Sequence, residues 1–246
     1  MGKILEVKGL SKQYAKVLAV DDVSFEIEKG EIFALIGTNG AGKTTTIRMI
    51  STLLTATSGD AVVNGHSILK EPEKVRESIS YLPDEAGAYK NMTGKKYLRF
   101  MAGLFSADID TINGYTERAE KICGLGERLN DKIGTYSRGM IRKLLLSRAV
   151  MTKPALAILD EPTSGLDVLN ALEIRKMIKE LAKNEGMSFL LSSHNMLEIE
   201  FVSDRVGIIS KGRLLVTGKT DELKQRYGVQ NLEEVFERVV KNGEIL

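Results

Sequence analysis

The chain has 246 residues, 43% of them hydrophobic and 28% charged, with a formal net charge of +2. That is enough apolar material for one large core or two smaller ones, and it excludes a fibre or a disordered tail. The charge is too mild, and the basic residues too evenly mixed among acidic ones, to indicate a nucleic-acid surface. Apolar runs stay far short of the roughly 20 residues that span a bilayer. The start, Met1-Gly-Lys-Ile-Leu-Glu6, lacks a signal-peptide core, and Glu6 stands where myristoylation needs Ser or Thr, so the chain is expected to be neither secreted nor self-anchored.

In chain order, Ile4 to Val7 reads as a strand. Val23, Phe25 and Ile27 then alternate with Ser24, Glu26 and Glu28, the pattern of an antiparallel sheet with one wet face. Ile32 to Ile36 is continuously apolar, as in a strand buried on both faces of a parallel sheet. It runs into Gly37-Thr38-Asn39-Gly40-Ala41-Gly42-Lys43-Thr44, the full phosphate-binding-loop pattern, followed by Thr45 and a helix expected over 43 to 54 with Ile47, Ile50 and Leu54 on one face. A glycine-rich loop between strand and helix aims backbone N–H groups at an anion. Lys43 would reach the β- and γ-phosphates of a nucleotide, and Thr44 would ligate Mg²⁺.

Strands are expected at Asp60 to Asn64, joining the first sheet, and at Ile79 to Leu82, closed by Pro83. Tyr97, Leu98, Met101, Ala102 and Phe105 follow helical spacing, as do Ile141, Leu144, Leu145 and Ala149, so a helical insert is expected at about residues 90 to 152. Within it Cys123, beside Gly124 at a helix end, reads as a buried small hydrophobe. Strands resume at Ala155 to Leu159, Phe189 to Ser192 and Val206 to Ser210, with a helix carrying Ile174, Met177, Ile178 and Leu181 between the first two. The expected fold is α/β: a mainly parallel, doubly wound core with an N-terminal antiparallel β-subdomain and a helical subdomain insert.

Leu156-Ala-Ile-Leu-Asp160-Glu161 places two acids at the C-terminal edge of a buried strand, where open α/β sheets bind ligands. Asp160 would support the Mg²⁺, directly or through water, and Glu161 is the candidate general base for a water in line with the γ-phosphate. His194 ends a third buried strand. A lone histidine is most often a core or surface residue, but at this position it reads as a γ-phosphate sensor. The two histidines and one cysteine, far apart, make no metal site by themselves.

Thr135-Tyr-Ser-Arg-Gly-Met140, the following Leu-Asp-Glu-Pro, Ser164-Gly-Leu-Asp167 and His194 come in the order found in the ATP-binding cassette (ABC) family, and the chain resembles that family's P-loop ATPase subunits over about residues 3 to 220. The resemblance implies an ABC ATPase domain over 1–228 with a C-terminal helical extension at 229–246. It implies a head-to-tail dimer, of identical subunits or of two different ones, that sandwiches two ATPs with Mg²⁺. Each nucleotide would lie between the P-loop of one subunit and the signature residues Ser137 and Gly139 of the other. Tyr14 is similar to the aromatic that stacks on adenine, and Asp167 to the residue linking the two sites.

The chain departs from the family twice. Tyr136, Arg138 and Met140 replace three of the five residues of Leu-Ser-Gly-Gly-Gln, leaving Arg138 either beside the partner's γ-phosphate or pointing to water. Asp84-Glu85 stands where the family has a glutamine that touches Mg²⁺ and the attacking water; Asp84 can contact the metal but, ionised, cannot donate a hydrogen bond. The membrane-partner contact is expected along Asp84 to Met92. Tyr-Leu-Pro-Asp-Glu and the ending Asn231-Leu-Glu-Glu-Val-Phe-Glu-Arg-Val-Val240 resemble the exporter branch, whose permeases are separate membrane proteins. The implied role is a peripheral ATPase at the cytoplasmic membrane face that works a permease and does not bind nucleic acid. The rivals are a soluble ABC-type ATPase acting on ribosomes or DNA, and a non-hydrolysing regulatory cassette.

Overall fold

The computed structural model describes residues 2–242. β1 (Lys3–Tyr14) and β2 (Val17–Glu28) form a long antiparallel hairpin. Along β2, Val23, Phe25 and Ile27 are buried and Ser24 is exposed, which is the expected alternation. β3 (Ile32–Ile36) is buried throughout and leads through the glycine loop into α1 (Lys43–Ile50). The helix stops four residues before the expected end. Thr52 takes a left-handed φ of 60°, and both Leu53 N–H and Leu54 N–H donate to the Arg48 carbonyl, so the chain turns while Leu54 still packs on the core.

β4 (Ser58–Val63) and β5 (His66–Ser67) follow, then α2 (Pro72–Ser78) and β6 (Ile79–Leu82). The helical insert holds α3 (Gly94–Ala102), α4 (Ile109–Cys123) and α5 (Arg138–Val150). Thr93, Asp108 and Ser137 cap them, each side chain accepting from a backbone N–H in the first turn. The return to the sheet runs through β7 (Leu156–Asp160), α6 (Val168–Glu185), β8 (Ser188–Ser193), α7 (Met196–Val202), β9 (Arg205–Ser210) and β10 (Arg213–Lys219). α8 (Thr220–Tyr227) and α9 (Leu232–Asn242) close the described chain, and α9 buries Leu232, Val235 and Val239 in the same core as the insert. Residues 243–246 of the expected C-terminal extension lie outside the described residues.

The strands form two sheets, one antiparallel in the order β2-β1-β4-β5 and one in the order β10-β9-β3-β8-β7-β6. The second is parallel except for β10, which pairs antiparallel with β9. Because side chains alternate across a strand, β3 feeds two cores: Ala34 and Ile36 pack towards the helical insert, α6 and α9, while Phe33 and Leu35 pack towards α1 and the antiparallel sheet. On that side Phe33 stacks on Phe25 with ring centroids 5.0 Å apart, so the hairpin is pinned to the central strand. A buried leucine or phenylalanine contributes about 1.5–3 kcal/mol, and both faces of β3, β7 and β8 are filled this way. Among the described residues no helix is long and apolar enough to cross a membrane.

Cys123 ends α4 one residue before the left-handed Gly124, is 1% exposed, and donates its S–H to the Glu120 carbonyl at 3.2 Å. Burial pushes its thiol up from the ordinary range, which keeps it protonated and unreactive. A disulfide-exchange reagent at neutral pH should therefore titrate no thiol in the native protein and one per chain in denaturant. Fast reaction of the native chain would contradict this packing.

Candidate active site

The loop between β3 and α1 has the shape its sequence demands. Gly42, the residue before α1, has φ of 109°, and a Cβ there would come within 2.9 Å of the Ala19 carbonyl, so only glycine fits. The first turn of α1 carries no acidic residue, which leaves its N–H groups to an anion. Lys43 sits inside the loop, 5% exposed, and its Nζ donates to the carbonyls of Gly37 at 2.8 Å and Thr38 at 3.2 Å. Its third neighbour is Glu161 Oε1 at 3.6 Å.

The carboxylates arrive on β7. Asp160 is buried, and its Oδ1 accepts from Thr44 Oγ1 at 3.3 Å and from Ser192 Oγ of β8, while Tyr81 of β6 donates to Oδ2 at 3.4 Å. Burial, and then the charge of Asp160, push the Tyr81 phenol up, so it stays protonated as a donor. Glu161 is in the left-handed region at φ 48°, a strain of order 1–3 kcal/mol for a residue with a Cβ. Its N–H donates to Ser192 O and Oγ at 3.2 and 3.1 Å, and its carbonyl accepts from Arg142 Nη2 at 2.7 Å and from Ser164 N–H at 3.1 Å. The bend turns the carboxylate over the loop: Oε1 faces Lys43, and Oε2 lies 2.9 Å from Nδ1 of the half-exposed His194.

Asn39, Gly40, Ala41, Gly42, Lys43, Thr44, Thr45, Asp84, Asp160 and Glu161, joined by Ala19, line one cavity of about 240 Å³. Among the described residues no group of three His, Cys, Asp or Glu side chains forms a metal cage. A threonine hydroxyl and one or two carboxylates are nevertheless the donor set a small hard cation needs when substrate phosphates and water complete its shell. Asp84 sits on the rim of this cavity, with Oδ1 3.4 Å from Arg142 Nη2.

Ser137, Gly139 and Asp167 form a separate cluster. Ser137 caps α5, accepting from Met140 N–H at 3.2 Å, and Asp167 caps α6, accepting from Asn170 N–H at 3.0 Å, so two helix N-termini lie side by side. The Asn170 backbone and side-chain donors hold the Asp167 carboxyl below its usual range. A Cβ on Gly139 would fall 1.9 Å from Asn170 Oδ1, so that glycine lets the two helix starts close up. Arg138 is exposed and lines a second cavity, of about 210 Å³, with Ser164 and Gly165. Tyr14, at the end of β1, is exposed under Lys12 Nζ and is not among the residues lining the phosphate cavity.

Four residues at these sites were not singled out from the sequence: Ser192, Tyr81, Arg142 and Asn170. Ser192 had a signal, two serines ending an apolar strand just before His194. Tyr81 and Arg142 act across long sequence separations, and Asn170, which bonds Asp167 three residues before it, matters through its approach to Gly139 on another helix.

The family model for ABC transporters matches residues 20–164. The linearmycin resistance ATP-binding protein LnrL of Bacillus subtilis (strain 168) is 38% identical over 225 residues, 92% of this chain and 72% of that protein. The bacitracin transport ATP-binding protein BcrA of Bacillus licheniformis is 37% identical over 226 residues, 92% of this chain and 73% of that protein. A solved ATP-binding subunit of an ABC transporter superposes with a TM-score of 0.83 at 31% identity, covering 96% of this chain and 99% of that one. With the two-sheet architecture and the phosphate loop, these matches establish that the chain belongs to the ABC transporter family, as an ATP-hydrolysing subunit that powers transport through a separate membrane permease.

Proposed function

We propose that Glu161 is the general base of ATP hydrolysis and that the site works only when a second subunit completes it. The observation that carries this reading is the Glu161 carboxylate, held by a strained backbone between the Lys43 ammonium and the His194 ring. There it can take a proton from a water placed behind the γ-phosphate while Lys43 offsets the charge spreading onto the phosphate oxygens. His194, bonded through Nδ1 to Glu161, has Nε2 left for the γ-phosphate, so one ring both orients the base and reads the substrate. Thr44 and Asp160, with Asp84 on the same rim, would hold Mg²⁺, which supplies neutralisation of the phosphate charge. Tyr81 and Ser192 fix Asp160 for that task.

Ser137 and the paired N-termini of α5 and α6 are not among the residues that line this chain's own phosphate cavity, which supports their use on a partner's nucleotide. Tyr14 and Asp167 are proposed for adenine stacking and for the link between the two sites. A dimer of identical subunits is the simplest assembly, since one chain carries both halves. The permease would dock beside Asp84, where Tyr89 is exposed and packs edge-on against Phe100 at 5.8 Å, with exposed Leu104 and Phe105 one turn on. A contiguous apolar patch of this kind marks a protein contact. The working place is then the cytoplasmic membrane face, and the names of the relatives, resistance and bacitracin transport, support export.

Glu161→Gln should slow phosphate release by about 10²–10⁴-fold while ATP still binds, and an ATP-bound dimer should accumulate in light scattering. Hydrolysis at the wild-type rate would remove Glu161 from its role. Phe100→Glu should abolish co-sedimentation with membranes that carry the permease, with ATP binding as the folding control. Undiminished co-sedimentation would place the docking surface elsewhere.

A further inference from the structure

Arg142 lies on α5, five residues after Ser137, with its side chain 8% exposed. A buried guanidinium has five donors to satisfy, and the four on Nη1 and Nη2 go to two loops. Nη1 donates to the carbonyls of Pro83 at 3.4 Å and Asp84 at 3.3 Å; Nη2 donates to Asp84 Oδ1 at 3.4 Å and to the Glu161 carbonyl at 2.7 Å. The first loop follows β6 and the second follows β7, so one side chain joins the segment carrying Asp84 to the segment carrying Glu161.

Asp84 lines both the phosphate cavity and the cavity lined by Arg138, and Arg142 lines the second, so the pair lies where the two cavities adjoin. Burial lowers the Arg142 pKa, and the neighbouring Asp84 carboxylate is the largest influence opposing that shift. The carboxylate that replaces the family's glutamine thus has a cation matched to it within the chain.

The Glu161 peptide is held from two sides, its N–H by Ser192 and its carbonyl by Arg142. Without the Arg142 bond the left-handed φ loses one of the restraints that oppose its relaxation, and a relaxed φ swings the carboxylate away from Lys43 and His194. We propose that Arg142 is a positioning residue for hydrolysis: from the helix that Ser137 opens, it holds the Glu161 carbonyl and the Asp84 carboxylate in one frame and so keeps the Glu161 side chain over the phosphate loop. The consequence for turnover rests on Glu161 being the base; the hold on its peptide does not.

The test uses full-length Arg142→Gln and Arg142→Lys, with and without Asp84→Asn, measured for kcat, for equilibrium ATP binding and for amide exchange at Ser164, whose N–H bonds the same Glu161 carbonyl. Arg142→Gln should lower kcat by about 10²-fold, as a displaced catalytic group does. ATP affinity should change by less than about 3-fold, the split expected when only the chemical step is disturbed. Exchange at Ser164 should rise. Arg142→Lys should recover only part, because a single ammonium cannot span both loops as the planar fork does. Asp84→Asn should cost less in the Arg142→Gln background than alone. Unchanged kcat with unchanged exchange overturns the proposal, as does a loss confined to ATP binding. If Arg142→Gln does not fold, Arg142→Lys carries the same measurements, and full activity there overturns the proposal. Faster exchange at Ser164 in a chain whose Glu161→Gln variant still hydrolyses ATP would uphold the hold on the peptide and reject the base assignment alone.

Discussion

Three parallel strands end side by side, and the site depends on that register. Ile36 of β3 lies beside Ser193 of β8, and Ser192 beside Asp160 of β7, so the chain leaves the sheet three times at one edge. The first exit is the phosphate loop, the second is the pair of acids, and the third is His194. A one-residue slip in any strand would exchange its two faces, and with both faces of β3, β7 and β8 close-packed such a slip would force both cores to repack. The packing that stabilises the domain is therefore the same packing that aligns the chemistry.

On this edge the charges are few and closely matched. The Lys43 ammonium is buried, and burial of a cation is tolerated only when it is paired and hydrogen-bonded, which the loop carbonyls and Glu161 provide. Asp160 is held by three hydroxyls, from Thr44, Tyr81 and Ser192, and Glu161 by a peptide gripped at both ends. The strain at Glu161 is sustained because Ser192 serves both acids at once, accepting from the Glu161 N–H while donating to Asp160. Rigid positioning of this kind is what lets a site stabilise developing charge without reorganising.

The sequence carried the parts of this account that depend on local pattern. The glycine loop, the continuously apolar strands, the acids after β7 and the helical insert all stood out because period and composition mark them over short windows. What it did not carry was of two kinds. Elements with weak patterns were missed: α2 buries only Val75, α8 buries only Leu223 and Tyr227, and β10 has a register shift between Leu214 and Val216 that breaks its alternation. Partners far apart in the chain were missed as well. Tyr81 meets Asp160 across 79 positions and Arg142 meets Asp84 across 58, and no spacing rule reaches so far. Asn170 was hidden differently, since its contact with Gly139 arises from two helix starts meeting, visible only once both helices are placed.

The phosphate loop and the Ser137 end of α5 do not line a common cavity within one chain, and their union across a dimer is the central claim. Mixing Lys43→Ala chains with Ser137→Pro chains tests it directly, because each variant alone spoils both composite sites while a mixed dimer keeps one of them whole. The account predicts that the mixture regains ATP hydrolysis that neither variant shows by itself. Mixed dimers that form and remain inactive would contradict it, and would mean that each chain builds its site alone.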